Sequence, residues 1–194
     1  MPRTRVFMAL LAALVLNACG EPDREATLPA PGEPTREAIG YYCNMIVVDH
    51  LGPKGQVFIG GRDEPIWFSS ARDAIAFTLL PEEPKNITAI YVNDMGRASW
   101  ERPEPGTWID ARRAWYVLGS DKVGGMGAPE AVPFAEQSVA ETFAGRHGGE
   151  VVAFDRVPRD YVLASADAPM NHARENSAAS MHHAREDSAG EVVK

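Results

Sequence analysis

The sequence predicts an α+β fold, two similar ββαβ units in one compact domain. Three observations point there. Short β-branched and aromatic runs recur, each bounded by Gly, Pro, Asn or Asp. Two helical stretches are each preceded by two such runs and followed by one. The segment Pro65–Phe77 (PIWFSSARDAIAF) also lies over Ala131–Phe143 (AVPFAEQSVAETF), pairing Phe68 with Phe134 and Phe77 with Phe143.

In the first unit, Gln56–Ile59 and Pro65–Phe68 read as strands. Ser69 or Ser70 caps a helix to about Leu79, and Ile87–Val92 (ITAIYV) is a strand. In the second, Ala114–Leu118 and Val132–Ala135 are strands. A helix runs from about Glu136 to Ala144, stopped by Gly145, Gly148 and Gly149, and Val151–Phe154 closes the unit. Aligning Ile59-Gly60 with Leu118-Gly119 makes the loop between the first two strands seven residues longer in the second unit. That loop holds Gly124-Gly125-Met126-Gly127.

Around the domain the chain changes character. Arg3 and Arg5 precede an uncharged apolar run, Val6–Leu16, too short to span a bilayer and suited to a secretory signal. Leu16-Asn17-Ala18-Cys19 resembles a bacterial lipobox, which predicts a signal peptide over 1–18 and lipidation of Cys19. A retained Cys19 thiol after an ordinary signal is the alternative. Residues 19–37, rich in Glu, Pro and Ala, read as the acylated cysteine and a tether. The domain is expected over 38–164, with halves of about 38–94 and 112–158. Residues 165–194 are too polar to bury a core. Gly20 lacks the Asp that commonly retains lipoproteins at the inner membrane, which favours the outer membrane, on the periplasmic side.

Cleavage before Cys19 leaves 176 residues and takes the formal net charge from −8 to −10. That is one domain's worth of chain, able to bury roughly 70% of its unfolded surface. The acidic balance argues against nucleic acid and against attraction to anionic lipid.

The chain has two cysteines. If Cys19 carries lipid, Cys43 has no partner in an oxidising compartment. It stands in Tyr42-Cys43-Asn44-Met45. In extended chain, Cys43 and Met45 would face the same side, as soft donors suited to Cu(I). Packing of both into the core is the alternative. Met126, flanked by glycine in a polar loop, is a third soft donor, or else a loop methionine covering an apolar patch. Together the three make an S₃ set for trigonal Cu(I).

His50 offers imidazole, or is a surface histidine beside Asp49. His147 belongs to a helix end, and Met95 to a turn. In the tail, Met170–Ala178 recurs as Met181–Ala189, placing Met beside His172, and His182 with His183 as accessory metal candidates. A solvated tail made by a short duplication is the other reading. G-x-S-x-G, C-x-x-C, H-E-x-x-H and phosphate-loop motifs are all missing from the sequence, so catalytic constellations are thin.

Taken together, Tyr42–Met45 (YCNM), Asp63–Ala74, Ile90–Asp94 (IYVND), Tyr116–Ser120 (YVLGS), Gly124–Gly127 (GGMG), Pro133–Ala135 and Gly148–Val151 resemble the NosL family of copper-binding lipoproteins. The resemblance runs from the lipobox to about Ala164 and leaves out the tail. It implies a pair of ββαβ units similar to part of organomercurial lyase. It implies one Cu(I) per domain, with the family's thiolate and thioethers on Cys43, Met45 and Met126. It implies a periplasmic metallochaperone, not an enzyme, serving assembly of the copper centres of nitrous oxide reductase, with an ABC-transporter apparatus as further partner; the chain is expected to be a monomer. The rival expectations are a lipid-anchored binding module without metal and a thiol-dependent lyase-like enzyme.

Overall fold

The structure, a computed structural model, describes residues 28–164. Cys19, the signal segment and the tail histidines His172, His182 and His183 lie outside the described residues. In chain order the elements are β1 (Gly55–Ile59), β2 (Ile66–Phe68), α1 (Ala71–Leu79), β3 (Ile87–Asn93), β4 (Trp108–Asp110), β5 (Trp115–Leu118), β6 (Val132–Phe134), α2 (Gln137–His147), β7 (Glu150–Ala153) and α3 (Arg159–Leu163). Short 3₁₀ turns occupy Val47–Asp49, Ala111–Arg113 and Phe154–Arg156.

The strands form two antiparallel sheets, ordered β2-β1-β3-β4 and β6-β5-β7. The repeat is exact in pairing: Gly55 opposes Phe68 and Val92, as Trp115 opposes Phe134 and Ala153. Phe68 and Phe77 pack edge to face at 5.4 Å, and their counterparts Phe134 and Phe143 pack tilted at 5.0 Å. The register corrects the loop length. Nine positions separate Val57 from its partner Ile66, and fifteen separate Val117 from Val132, so the second loop is longer by six residues. The expected seven came from aligning strand ends one place out of step.

Ser70 caps α1, its Oγ accepting from Asp73 N at 3.3 Å. Gly145 does not stop α2. The helix continues to His147 and ends at Gly148, whose φ of 73° turns the chain. Strand alternation decides how the halves meet. Tyr116 and Leu118 point into the main core with Phe68, Phe77 and Ile90, whereas Val117 points into a second cluster with Val132, Phe134 and Phe143. The second sheet is therefore covered on both faces, by α2 and by the first unit.

The expected tether is partly built into the domain. Gly32 exchanges hydrogen bonds with the Gln56 amide at 2.9 and 3.0 Å, Glu33 accepts from Gly106 N and Trp108 Nε1, and Tyr91 donates to the Pro29 carbonyl. Residues 29–37 thus lie along the first sheet.

Candidate metal centre

The Cys43 segment is a tight turn and not the extended chain expected from spacing. Ile39 and Ile46 form an antiparallel bridge, Gly40 N donates to Met45 O at 2.9 Å, and Asn44 N donates to Gly40 O at 2.8 Å. Asn44 takes the left-handed φ of 55°, a conformation Asn tolerates better than most residues. The turn docks on the edge of β2, where Tyr41 N donates to Trp67 O at 2.8 Å. This sets Cys43 beside the start of α1. Its Sγ lies 3.4 Å from Ser69 Oγ and 3.9 Å from Gly40 O. A Cβ on Gly40 would come within 2.5 Å of that sulfur, so the thiol occupies space only glycine leaves open. Cys43 is half-buried and in no disulfide.

The methionines are not core residues. Met45 is 43% exposed and Met126 44%. Met126 rides on the long β5–β6 loop, closed by Gly124 N to Ala128 O at 2.8 Å and by a Val123–Pro129 bridge.

His50 brings the two sulfur-bearing segments together. It is half-buried, with Nδ1 3.2 Å from Gly125 O. A Cβ on Gly125 would lie 2.4 Å from His50 Cβ, so the loop carrying Met126 packs directly on the residue that closes the Cys43 segment. His50 Nε2 is buried without a hydrogen-bond partner. This histidine does more than a surface residue beside Asp49 would; Asp49 instead pairs with Arg36 at 2.9 Å. His147 pairs with Asp121 at 3.0 Å, and Met95 packs against the second core cluster.

Two features escaped the sequence reading. Glu130, fully buried, links the halves under the same loop. Its Oε1 accepts from Ser70 Oγ (3.2 Å), Arg72 N (2.9 Å) and Ala131 N (3.0 Å), while Oε2 has no partner and would meet a Gly124 Cβ at 2.5 Å. Burial pushes its carboxyl up to about 8. Burial likewise pushes Lys54 down to about 8, against the opposing pull of Glu130. The second feature is the pair Tyr41 and Tyr42, which donate to the two oxygens of Glu83 at 3.2 and 3.0 Å. Burial first, then Glu83, raises both phenols, so both remain donors.

Around the sulfurs the surface is apolar. Most of the exposed large hydrophobic side chains among the described residues, including Tyr41, Tyr42, Met45, Leu51, Val123 and Met126, belong to these two segments. No three His, Cys, Asp or Glu side chains group as metal ligands among the described residues.

The sequence model of the NosL family matches residues 31–162. The chain belongs to the NosL family. A relative from Achromobacter cycloclastes, named copper-binding lipoprotein NosL, is 43% identical over 85% of this chain and 86% of its own. One of the same name from Stutzerimonas stutzeri is 36% identical over 86% and 85%. Among solved structures, the copper chaperone NosL from Shewanella denitrificans superposes with a TM-score of 0.63 at 30% identity, covering 68% of this chain and 97% of that one. The NosL match covers both ββαβ units and the Cys43 turn, the Gly-Gly-Met-Gly loop and His50.

Proposed function

We propose that this chain is a periplasm-facing lipoprotein chaperone that binds one Cu(I) through Cys43, Met45 and Met126. It delivers the ion for assembly of the copper centres of nitrous oxide reductase. The observation that carries the reading is the His50–Gly125 contact, which joins the Cys43–Met45 turn to the Met126 loop at an exposed apolar surface. One thiolate and two thioethers are a soft set that selects Cu(I) over hard cations. A half-buried thiolate supplies most of the hold. Exposed thioethers can be displaced by an incoming ligand, as handing copper on requires. His50 Nε2, buried and unpartnered, is the fourth donor should the ring turn toward the ion. The names of the relatives and of the solved neighbour support binding and delivery of copper rather than catalysis. Lipidation at Cys19 would hold the domain near its partner at a membrane, raising effective concentration.

The test is an anaerobic Cu(I) titration of residues 28–164 against a competing chelator. One equivalent is expected. Cys43→Ser should weaken it by about 100-fold or more, beyond the range for outer-sphere changes, and Met45→Ala or Met126→Ala by about tenfold. Uptake near zero, or affinity indifferent to Cys43→Ser, would leave a binding module without metal.

A further inference from the structure

Tyr41 and Tyr42 stand immediately before Cys43, and they are arranged unlike ordinary surface tyrosines. Such a residue keeps its apolar ring against the protein and its polar tip in water. Here the two residues are 45% and 40% exposed, yet both hydroxyls reach one carboxylate, that of Glu83, which is only 9% exposed. Neighbouring side chains in an extended strand point to opposite faces and could not share a partner. The turn from Gly40 to Met45 brings these two to the same side. Their rings lie 5.1 Å apart, with Tyr41 edge-on to Phe77 at 5.5 Å and Tyr42 tilted on Phe68 at 5.6 Å. Glu83 comes from another segment, the loop between α1 and β3, where it lies between Pro81 and Pro84 and its N donates to Leu80 O at 3.3 Å. Neither ion pair among the described residues includes Glu83. A buried carboxylate without a cation is a poor source of stability, and apolar side chains would hold the turn better. What the arrangement supplies is direction. Two O–H bonds to the two oxygens of one planar group fix both residues that lead into Cys43.

We propose that Glu83 is a positioning residue acting through Tyr41 and Tyr42: it holds the Cys43–Met45 turn in one conformation before any ion arrives. Its service to copper rests on the function proposed above; its hold on the turn does not. The bonds from Gly40 to Met45 and from Asn44 to Gly40 close the turn on itself, and its tie to the sheet, Tyr41 N to Trp67 O, lies on the side before Cys43. The two phenols on Glu83 add a second tie, to the α1–β3 loop, and keep the turn from rocking about the first. Held at both places, the turn keeps Cys43 Sγ 3.4 Å from Ser69 Oγ. Ligands ordered in advance spare the ion the cost of ordering them, and groups that orient ligands from outside are worth about 10- to 100-fold in metal affinity.

The test uses the chain from Gly20 to Lys194, in which Cys43 is the one cysteine. Three variants are compared with it: the pair Tyr41→Phe and Tyr42→Phe, which keeps both rings, Glu83→Ala, and all three changes together. Iodoacetamide labelling without copper reads the turn, anaerobic Cu(I) competition against a chelator reads affinity, and urea unfolding reads stability. The phenylalanine pair and Glu83→Ala should each label Cys43 at least about fivefold faster and bind Cu(I) about tenfold more weakly. The triple variant should be no worse than either, because the same bonds are cut. The phenylalanine pair also strands the Glu83 carboxylate, so adding Glu83→Ala should restore stability while affinity stays low. That split is what a merely structural role would not give. Labelling and affinity unchanged by loss of the two hydroxyls, additive losses in the triple variant, or affinity that recovers together with stability would each overturn the positioning role. Faster labelling of the variants, in a protein whose unaltered form takes up no Cu(I), would overturn the copper reading and leave the hold on the turn standing.

Discussion

At Gly40 and Ser69 the fold is fitted to one sulfur atom. A methyl group on Gly40 would stand 2.5 Å from Cys43 Sγ, and the turn that makes this contact is fixed by backbone bonds from Gly40 to Met45 and from Asn44 to Gly40. The sulfur escapes the clash only by turning about its Cα–Cβ bond, away from its place beside Ser69 Oγ. Gly40→Ala should therefore lower Cu(I) affinity about 10- to 100-fold, the range for changes just outside a metal's ligands, and destabilise the domain by about 1–3 kcal/mol through overpacking. Ser69→Ala makes no clash and removes only the 3.4 Å partner of the thiol. It should cost about tenfold in affinity with little change in unfolding. Chelator competition and urea denaturation on the two variants check both; equal effects of both variants on affinity and stability would show that the contact with sulfur is incidental to binding.

At the scale of elements, the decisive contact is between a turn and a loop 75 residues apart, His50 against Gly125. Gly125→Ala would place a Cβ 2.4 Å from His50 Cβ and lift the loop. If the loop matters because it delivers Met126, Gly125→Ala and Met126→Ala should each cost about tenfold in Cu(I) affinity and together little more than either alone. Additive losses in that double-mutant cycle would separate the loop's position from its methionine. Such contacts set what the sequence could disclose. The sulfurs were legible because an unpaired cysteine beside a methionine, and a methionine among glycines, are locally unusual. Ser69, Glu130 and the His50 contact were not, since each depends on partners 26 to 75 residues away. The strands of both units were legible from alternation, and α1 from its serine cap. β4 was missed because Trp108–Asp110 carries no strand pattern of its own; pairing of Ile109 with Val92 makes it a strand. α3 was missed because five residues after Pro158 are short for a periodic signal, and burial of Val162 in the main core holds it. Gly145 failed to end α2 because a mid-helix glycine costs only about 1 kcal/mol, which the last turn offsets where His147 packs on Phe143 and its carbonyl accepts from Asp121 N.

Across the whole molecule, Glu130 is the buried carboxyl that the two halves share. It belongs to the second unit and accepts from Ser70 and Arg72 of the first. Burial outweighs those hydrogen bonds, so its folded value of about 8 stands above the ordinary 4.5. A carboxyl raised on folding keeps its proton in the native state after the unfolded chain has released it. Its contribution to stability is complete below about pH 4.5 and declines as pH rises toward about 8. Lys54, lowered to about 8, works in the opposite sense, its contribution lost as pH falls through that value from above 10.5. Between pH 5 and 7 the Glu130 slope therefore stands clear of Lys54, and Asp73, which burial also raises, acts in the same sense as Glu130. The unaltered chain should lose on the order of 2 kcal/mol of unfolding free energy across that interval. Glu130→Gln cannot ionise, and it keeps an acceptor for Ser70, Arg72 and Ala131. Its stability should be much nearer level from pH 5 to 7. Urea unfolding at three pH values in the interval reads this directly, and parallel curves for the two proteins would mean that Glu130 is charged in the fold, held by Lys54 and the α1 amides against its burial.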